Sequence, residues 1–556
     1  MNALKFRTGF ISYLLILLIT IVITMTLYYI NGQSWLGMDD ANIYMVYMRN
    51  FAGGHGFVYN VGGERVEGFT SLLWTLTGSL FYRLSPRPEI CLLILNMLVV
   101  SYAIWRVCCF INTSFNKSRF LSDYVIFFLV LLIALPGYFE WTVLSLMETG
   151  LWSSFIILSV LNLLEFNPEE AKKSEIQFFI LICLTILCRP EAILWCAFFV
   201  AMRFLKIYSQ GQIKREAMRG MILPALVYIL SIAGVLIWRH AYFGYLFPNT
   251  YYAKVSSDRL ENIRAGMKYL AEYFKKAPFV FLIFILFLKQ LITRVRGARS
   301  YDLLKLKQAF PFFIFTGIFG ISLFIPLFSG GDHFAFYRMM QPTVPLFILY
   351  FFFAAEAFQF RLTPLWKALI LFFVLISSDF SLFYSIRNPF TPLKVEWMIV
   401  VADRKTSEKL NDYFDLLSHY PSQGVITAGG SAYAYKGETI DLLGLNNVQM
   451  AHANAIKDDI ILKDHASFDK NVFYHQHPDL FWLLGDFKPN NKIERLNIPP
   501  IHKLIFKGIS DDERFNQDYT QCIIIRKDRH ENLQIFASKK FLNTLDTAYY
   551  TIRRFN

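Results

Sequence analysis

Long apolar runs separated by short polar segments dominate the first two-thirds of the chain. They occur near 10–30, 69–82, 88–112, 120–136, 147–165, 176–201, 221–238, 277–292, 309–328, 341–359 and 364–384. A helix needs roughly 20 apolar residues to cross a hydrocarbon core about 30 Å thick, so the pattern predicts about eleven transmembrane helices. Two runs fit poorly. The 69–82 run is short, and 176–201 carries Arg189, Pro190 and Glu191 at its middle. It reads either as one helix with a buried ion pair or as two half-length helices meeting at a polar turn. Charge at that depth is costly and usually faces a cavity. If 69–82 lies on the surface and 176–201 folds back as a hairpin, Glu148 moves to the outer side. The first run follows Lys5 and Arg7 and has no small-x-small cleavage site after it, so a retained helix is favoured over a signal peptide.

From about residue 387 the pattern changes. A Pro-rich segment, RNPFTPLK, leads into short apolar runs of strand length at Gly424, Thr439, Cys522 and Leu533, with helical patterning over Glu408–Leu417 and His477–Leu484. The predicted organisation is a transmembrane domain over 1–386, with a first outer loop at 31–68, followed by a soluble α/β domain over 387–556. With the N-terminus inside, that domain and the loop share the outer face.

Composition supports this reading: 55% of residues are hydrophobic and 17% aromatic, and mean hydropathy is +0.38. The formal charge of +13 does not indicate nucleic acid. From Phe390 onward Lys+Arg and Asp+Glu are both 21, so the excess lies in the membrane part, much of it in short loops where the positive-inside rule expects it. Six of seven cysteines fall in apolar stretches, Cys522 is alone in the last third, and no metal-ligand spacing exists.

Candidate chemistry concentrates in the outer segments. Asp39 and Asp40 open the first loop. Adjacent carboxylates suit deprotonation of a hydroxyl, and a divalent cation held there is compatible with the pair without being implied by it. The simpler alternative is that they stabilise the start of the helix that follows. His55 lies among glycines that permit close backbone approach to a ligand, and Glu67 follows Arg65. Arg189 and Glu191 imply a polar interior, and an arginine there could hold the phosphate of a lipid carrier. Arg239, His240, Lys254, His333 and Arg338 are further cationic candidates, with interfacial anchoring as the alternative. Asp332 sits in a Gly-Gly-Asp turn. Tyr242, Phe243, Tyr251 and Tyr252 gather where a sugar ring could stack.

The run DDANIYMVYMRNFAGGHGFVYNVGGERVEGFTSLLW resembles the first outer loop of GT-C glycosyltransferases, in the branch of terminal arabinofuranosyltransferases (AftB-like). Five later segments resemble that branch in order: SLMETGLW, RPEAIL, RHAYFGYLFPNTYYAK, GGDHFAFYR and TIDLLGLNN. The departures are Phe69 for the more usual Tyr and His333 after the Gly-Gly-Asp. The resemblance implies a GT-C-like membrane glycosyltransferase that moves a sugar from a polyprenyl-phosphate carrier to a glycan, lipid or protein acceptor. It places the catalytic base at Asp39 or Asp40, with Asp39 favoured, and cavity-facing substrate contacts at Glu67, Glu148, Arg189, Glu191, Arg239, Asn249, Lys254, Asp332 and Arg338. For Glu148 it favours the hairpin. Asp441 and Asn446 belong to the soluble-domain match, with structural packing as the favoured role and acceptor contact as the alternative. The expected setting is a bacterial inner membrane, multi-pass, with the C-terminal domain extracytoplasmic. Two readings from other classes are a transporter or flippase of lipid-linked glycans and a non-catalytic envelope scaffold. The lack of internal repeats argues against the transporter.

Overall fold

The computed structural model of the chain describes residues 2–116, 122–166, 171–209, 215–297, 303–378, 390–454, 456–457, 465–491 and 495–555. It consists of a large helical part followed by a mixed sheet with short helices. Among the described residues, five helices are long and apolar enough to cross a membrane: Gly9–Ile30, Pro88–Phe115, Ile222–Phe243, Pro278–Arg296 and Lys307–Ser329. Shorter apolar helices lie between them, including Thr149–Glu165 and Ser174–Cys188. Thr149–Glu165 is buried from Thr149 through Ile157 on every side, which makes it a central rod of the bundle. Ile222–Phe243, by contrast, has only 11% of its apolar window covered by protein. A helix apolar all round but uncovered is suited to lipid. The later part of the 364–384 run and the start of the Pro-rich segment lie outside the described residues.

Both ill-fitting runs prove to be special. Residues 72–84 form a helix of 13 residues, Leu72–Leu84, about 20 Å long at 1.5 Å per residue and too short to cross alone. The 176–201 run is a hairpin: Ala171–Cys188 ends, Arg189 and Pro190 turn, and Ala192–Tyr208 returns. The Cys196 thiol lies 3.8 Å from the Ile182 carbonyl, so residues seven positions either side of Arg189 touch. Proline lacks a donor N–H and disfavours helix at the residue before it, which explains the break at Arg189.

The last third holds a six-stranded sheet in the order β2-β1-β3-β5-β4-β6. Its strands are β1 (Gln423–Val425), β2 (Thr439–Asp441), β3 (Leu480–Pro489), β4 (Tyr519–Arg526), β5 (Glu531–Ser538) and β6 (Tyr550–Arg554). β1 pairs in parallel with β2 and β3, and the remaining pairings are antiparallel. The four strand-length apolar runs lie in or at the edge of β1, β2, β4 and β5. The helix expected over His477–Leu484 is instead the entry to β3. Leu480 and Phe481 are fully buried and pair on one side with β1 and on the other with β5, so ladder partners override a helical pattern of that length. The Pro392–Tyr413 helix extends through the expected Glu408 region and ends at Tyr413. It packs against both the Asp39–Ala52 helix and the short helix Ala428–Ala434.

Candidate functional site

The first polar loop starts as a helix, Asp39–Ala52, with both aspartates in its first turn, where the helix dipole favours negative charge. Its N-cap is Met38, which makes no side-chain cap. Asp39 instead serves another helix. Its carboxylate accepts from the backbone N–H of Gly429 at 3.1 Å and of Gly430 at 2.8 Å, at the start of Ala428–Ala434. Gly429 lies against the Asp39 backbone with no room for a Cβ. Burial outweighs these amide bonds and pushes the Asp39 carboxyl up to about 6.

Asp40 points elsewhere. Its Oδ2 lies 3.4 Å from Arg338 Nη1 and 4.0 Å from Lys254 Nζ, and Arg338 Nε donates to Asp332 at 3.0 Å. The Arg338 guanidinium also lies over the Phe334 ring, 4.4 Å from its centroid. Asp40, Lys254, Asp332 and Arg338 line a cavity of about 790 Å³. The same cavity is lined by a second charged group at the hairpin turn: Arg189 Nη1 donates to Glu148 at 2.7 Å, and Nη2 and Nε reach both oxygens of Glu191 at 2.9 and 3.1 Å. A directional hydroxyl chain joins it. The Tyr44 hydroxyl already accepts from the Thr70 and Ser71 N–H groups, so its own proton goes to Thr70 Oγ1 at 2.7 Å. Thr70 in turn donates to Glu148 at 3.2 Å. Glu148 and Thr70 lie on the same side as Asp40, as the hairpin version of the topology expects.

Seven of the sequence-predicted residues thus line one cavity: Asp40, Glu148, Arg189, Glu191, Lys254, Asp332 and Arg338. Six are elsewhere. Asp39 docks on the Ala428–Ala434 helix. Glu67 and Arg239 form a buried bidentate pair at 2.6 and 3.0 Å behind the wall. The Glu67 carbonyl accepts from Asn249 N–H, and the Asn249 side-chain amide donates to the Gly444 and Leu445 carbonyls. His55 and His240 are exposed. Of the expected aromatic cluster, Tyr251 lines the cavity, while Tyr242 stacks on Trp238 and accepts from the Phe57 N–H in the first loop.

Asp441 accepts from the backbone of Leu443, Gly444 and Asn446 and from the Asn446 side chain, which shapes the loop between β2 and the next helix. Asn446 then accepts from the Tyr47 hydroxyl, beside Gly68, where there is no room for a Cβ. Leu445 from this loop lines the cavity, so the sheet-bearing part contributes to its wall.

Sequence reasoning missed Thr70, Tyr44, Arg259, Glu396 and Asp403. Burial, with Asp40 and Asp39 nearby, pushes the Glu396 carboxyl up to about 7, and burial with Asp39 nearby does the same to Asp403. Both sit on the Pro392–Tyr413 helix, whose charged pattern resembles a solvated face, so no local signal marked them. Among the described residues no group of three or more His, Cys, Asp or Glu side chains is arranged to hold a metal ion.

Fold and site together define a polytopic helical protein with a charged cavity where its bundle meets a sheet-bearing C-terminal part. No family model and no curated protein matches the chain. Among solved structures it is similar to the apo oligosaccharyltransferase of Archaeoglobus fulgidus, at 12% identity over 77% of this chain and 64% of that one, with a TM-score of 0.42. It is also similar to the AglB oligosaccharyltransferase of the same organism in complex with an inhibitory peptide and a dolichol-phosphate, at 11% identity over 98% of this chain and 76% of that one, with a TM-score of 0.45. The chain thus spans just under two-thirds of the first of these proteins. At such identity and superposition the functional reading comes from the cavity itself.

Proposed function

We propose that the chain is a membrane glycosyltransferase that moves a sugar from a polyprenyl-phosphate carrier to the hydroxyl of an envelope glycan, lipid or protein. The observation that carries this reading is the make-up of the cavity. Asp40 and the basic residues Lys254, Arg259 and Arg338 line it, and so do the exposed apolar side chains Leu194, Phe247, Tyr251, Phe324 and Phe328. A lipid with a charged head requires both kinds of surface at one opening. No nucleotide-sugar motif is needed for such a donor.

In this reading Asp40 is the general base. It takes the proton of the acceptor hydroxyl as that oxygen bonds to the anomeric carbon. The bond from that carbon to the phosphate oxygen breaks, and the phosphate leaves with the electron pair. The leaving group needs no proton, so the protein supplies a base, cationic stabilisation and positioning. Asp40 is preferred to Asp39 because Asp40 lines the cavity, whereas the Asp39 carboxylate is occupied by the Gly429 and Gly430 amides. The cavity belongs to the outer face of a bacterial inner membrane in this reading, with the sheet-bearing domain of residues 387–556 on the same side.

The test is sugar transfer by full-length protein in reconstituted membranes, with polyprenyl-phosphate-linked sugars extracted from the same membranes as donor. Wild type is expected to transfer label, and Asp40→Asn to lose that transfer. Full transfer by Asp40→Asn would remove the base assignment, and no transfer from any lipid-phosphate donor would remove the reading.

A further inference from the structure

The cavity is lined by three arginines and one lysine, but their charges are unequally available. Arg189 spends three donors on two carboxylates, Glu148 and Glu191, so that group carries a net charge of −1. Arg338 is shared between two carboxylates, Asp332 at 3.0 Å and Asp40 at 3.4 Å, and with Lys254 at 4.0 Å from Asp40 the four groups are formally neutral. An anion approaching either arginine would first meet its carboxylates.

Two lining cations differ. Lys254 has its nearest carboxylate, Asp40, at 4.0 Å, the outer limit of an ion pair. Arg259 is exposed, lines the same cavity and makes no ion pair among the described residues. Between them Ser257 places a hydroxyl on the wall, and Phe247, Tyr251 and Phe328 are exposed alongside. Charge-assisted bonds to phosphate favour cations whose charge is not already satisfied.

Building on the donor reading above, we infer that a lipid phosphate is held by Lys254, Ser257 and Arg259, and that Arg189 is not its clamp. Arg189 instead ties the hairpin turn to Glu148 and through it to Thr70.

The experiment uses full-length protein in nanodiscs, with bare undecaprenyl phosphate and neutral undecaprenol as probes and native mass spectrometry as the readout. Wild type is expected to prefer the phosphate by at least about tenfold. The double variant Lys254→Ala/Arg259→Ala loses that preference, while Lys254→Arg and Arg259→Lys keep it, which separates loss of charge from loss of fold. The triple variant Glu148→Gln/Arg189→Met/Glu191→Gln keeps the preference within about threefold. Millimolar inorganic phosphate leaves the lipid bound, because the apolar mouth contributes to its affinity. If the double variant kept the preference, or the triple variant lost it while melting like wild type, the subsite would be wrong and the donor reading would stand. Displacement by inorganic phosphate would overturn the lipid as ligand. A wild type without preference for phosphate over alcohol would overturn both.

Discussion

Two regions built from the same first loop treat their polar groups in opposite ways. Along the seam with the sheet-bearing part, several buried polar groups are held by two or more short bonds. Asp39 meets two backbone amides, Asn60 both accepts from and donates to the Thr439 backbone, Glu67 takes Arg239 in a fork, and Asp441 accepts four bonds. Along the cavity the contacts of Asp40 to Arg338 and Lys254 are 3.4 and 4.0 Å, long for charge-assisted bonds. Saturated groups hold geometry, since an unmatched buried polar atom is expensive. A long ion pair at a cavity wall can exchange one partner for a ligand. In the proposed reaction this difference separates Asp39, which holds the fold, from Asp40, which acts on the acceptor.

The sharpest way to break this comparison is the aspartate pair itself. Asp40→Asn is expected to lower the transfer rate by about 10²- to 10⁴-fold, the usual range for a general base, with little change in melting. Asp39→Asn should do the reverse, and equal rate losses in both variants, measured per folded molecule, would erase the distinction. Next in size is the buried fork behind the wall. Arg239→Ala leaves Glu67 buried without its partner and should cost about 3–5 kcal/mol of stability in a denaturation experiment.

A third test uses pH. The Asp39 carboxyl is raised from 3.8 to about 6 in the folded chain. Its protonated form is therefore favoured by folding, and that contribution is full below about pH 4 and lost as pH rises through about 6. Glu396 and Asp403, both pushed to about 7, act with the same sign up to neutral pH. Thermal stability of the seam should thus fall between pH 5 and pH 8, and Asp39→Asn should flatten the lower part of that slope. An unchanged slope would show that the seam titrates elsewhere. The smallest effect is expected at the exposed histidines: His55→Ala and His240→Ala should stay within about 0.5 kcal/mol in stability and near wild-type transfer.

Much of the architecture was legible because it rests on period and length. A membrane-crossing helix needs a long apolar run, and the Pro392–Tyr413 helix and four of the six strands left local signatures. β3 did not, because Leu480 and Phe481 owe their strand conformation to ladder partners on both sides. The hairpin at Arg189 was one of two open readings. Proline chemistry favoured a break there, but only the contact between Cys196 and Ile182 shows the chain folding back.

The candidate site divides along the same line. Sequence alone determined which residue types the polar segments between apolar runs carry and that charged groups in apolar surroundings, such as Arg189, Glu191 and Asp332, border a polar interior, because burying charge without partners is too costly. Tertiary structure alone decided the direction in which each side chain points. Consecutive residues on a helix diverge by about 100°, so Asp39 meets the amides of Gly429 and Gly430 while Asp40 turns to the cavity. It also decided how far each cation is compensated: the sequence paired Arg189 with Glu191, and the second carboxylate, Glu148, 41 positions away, reaches it only once the chain is folded.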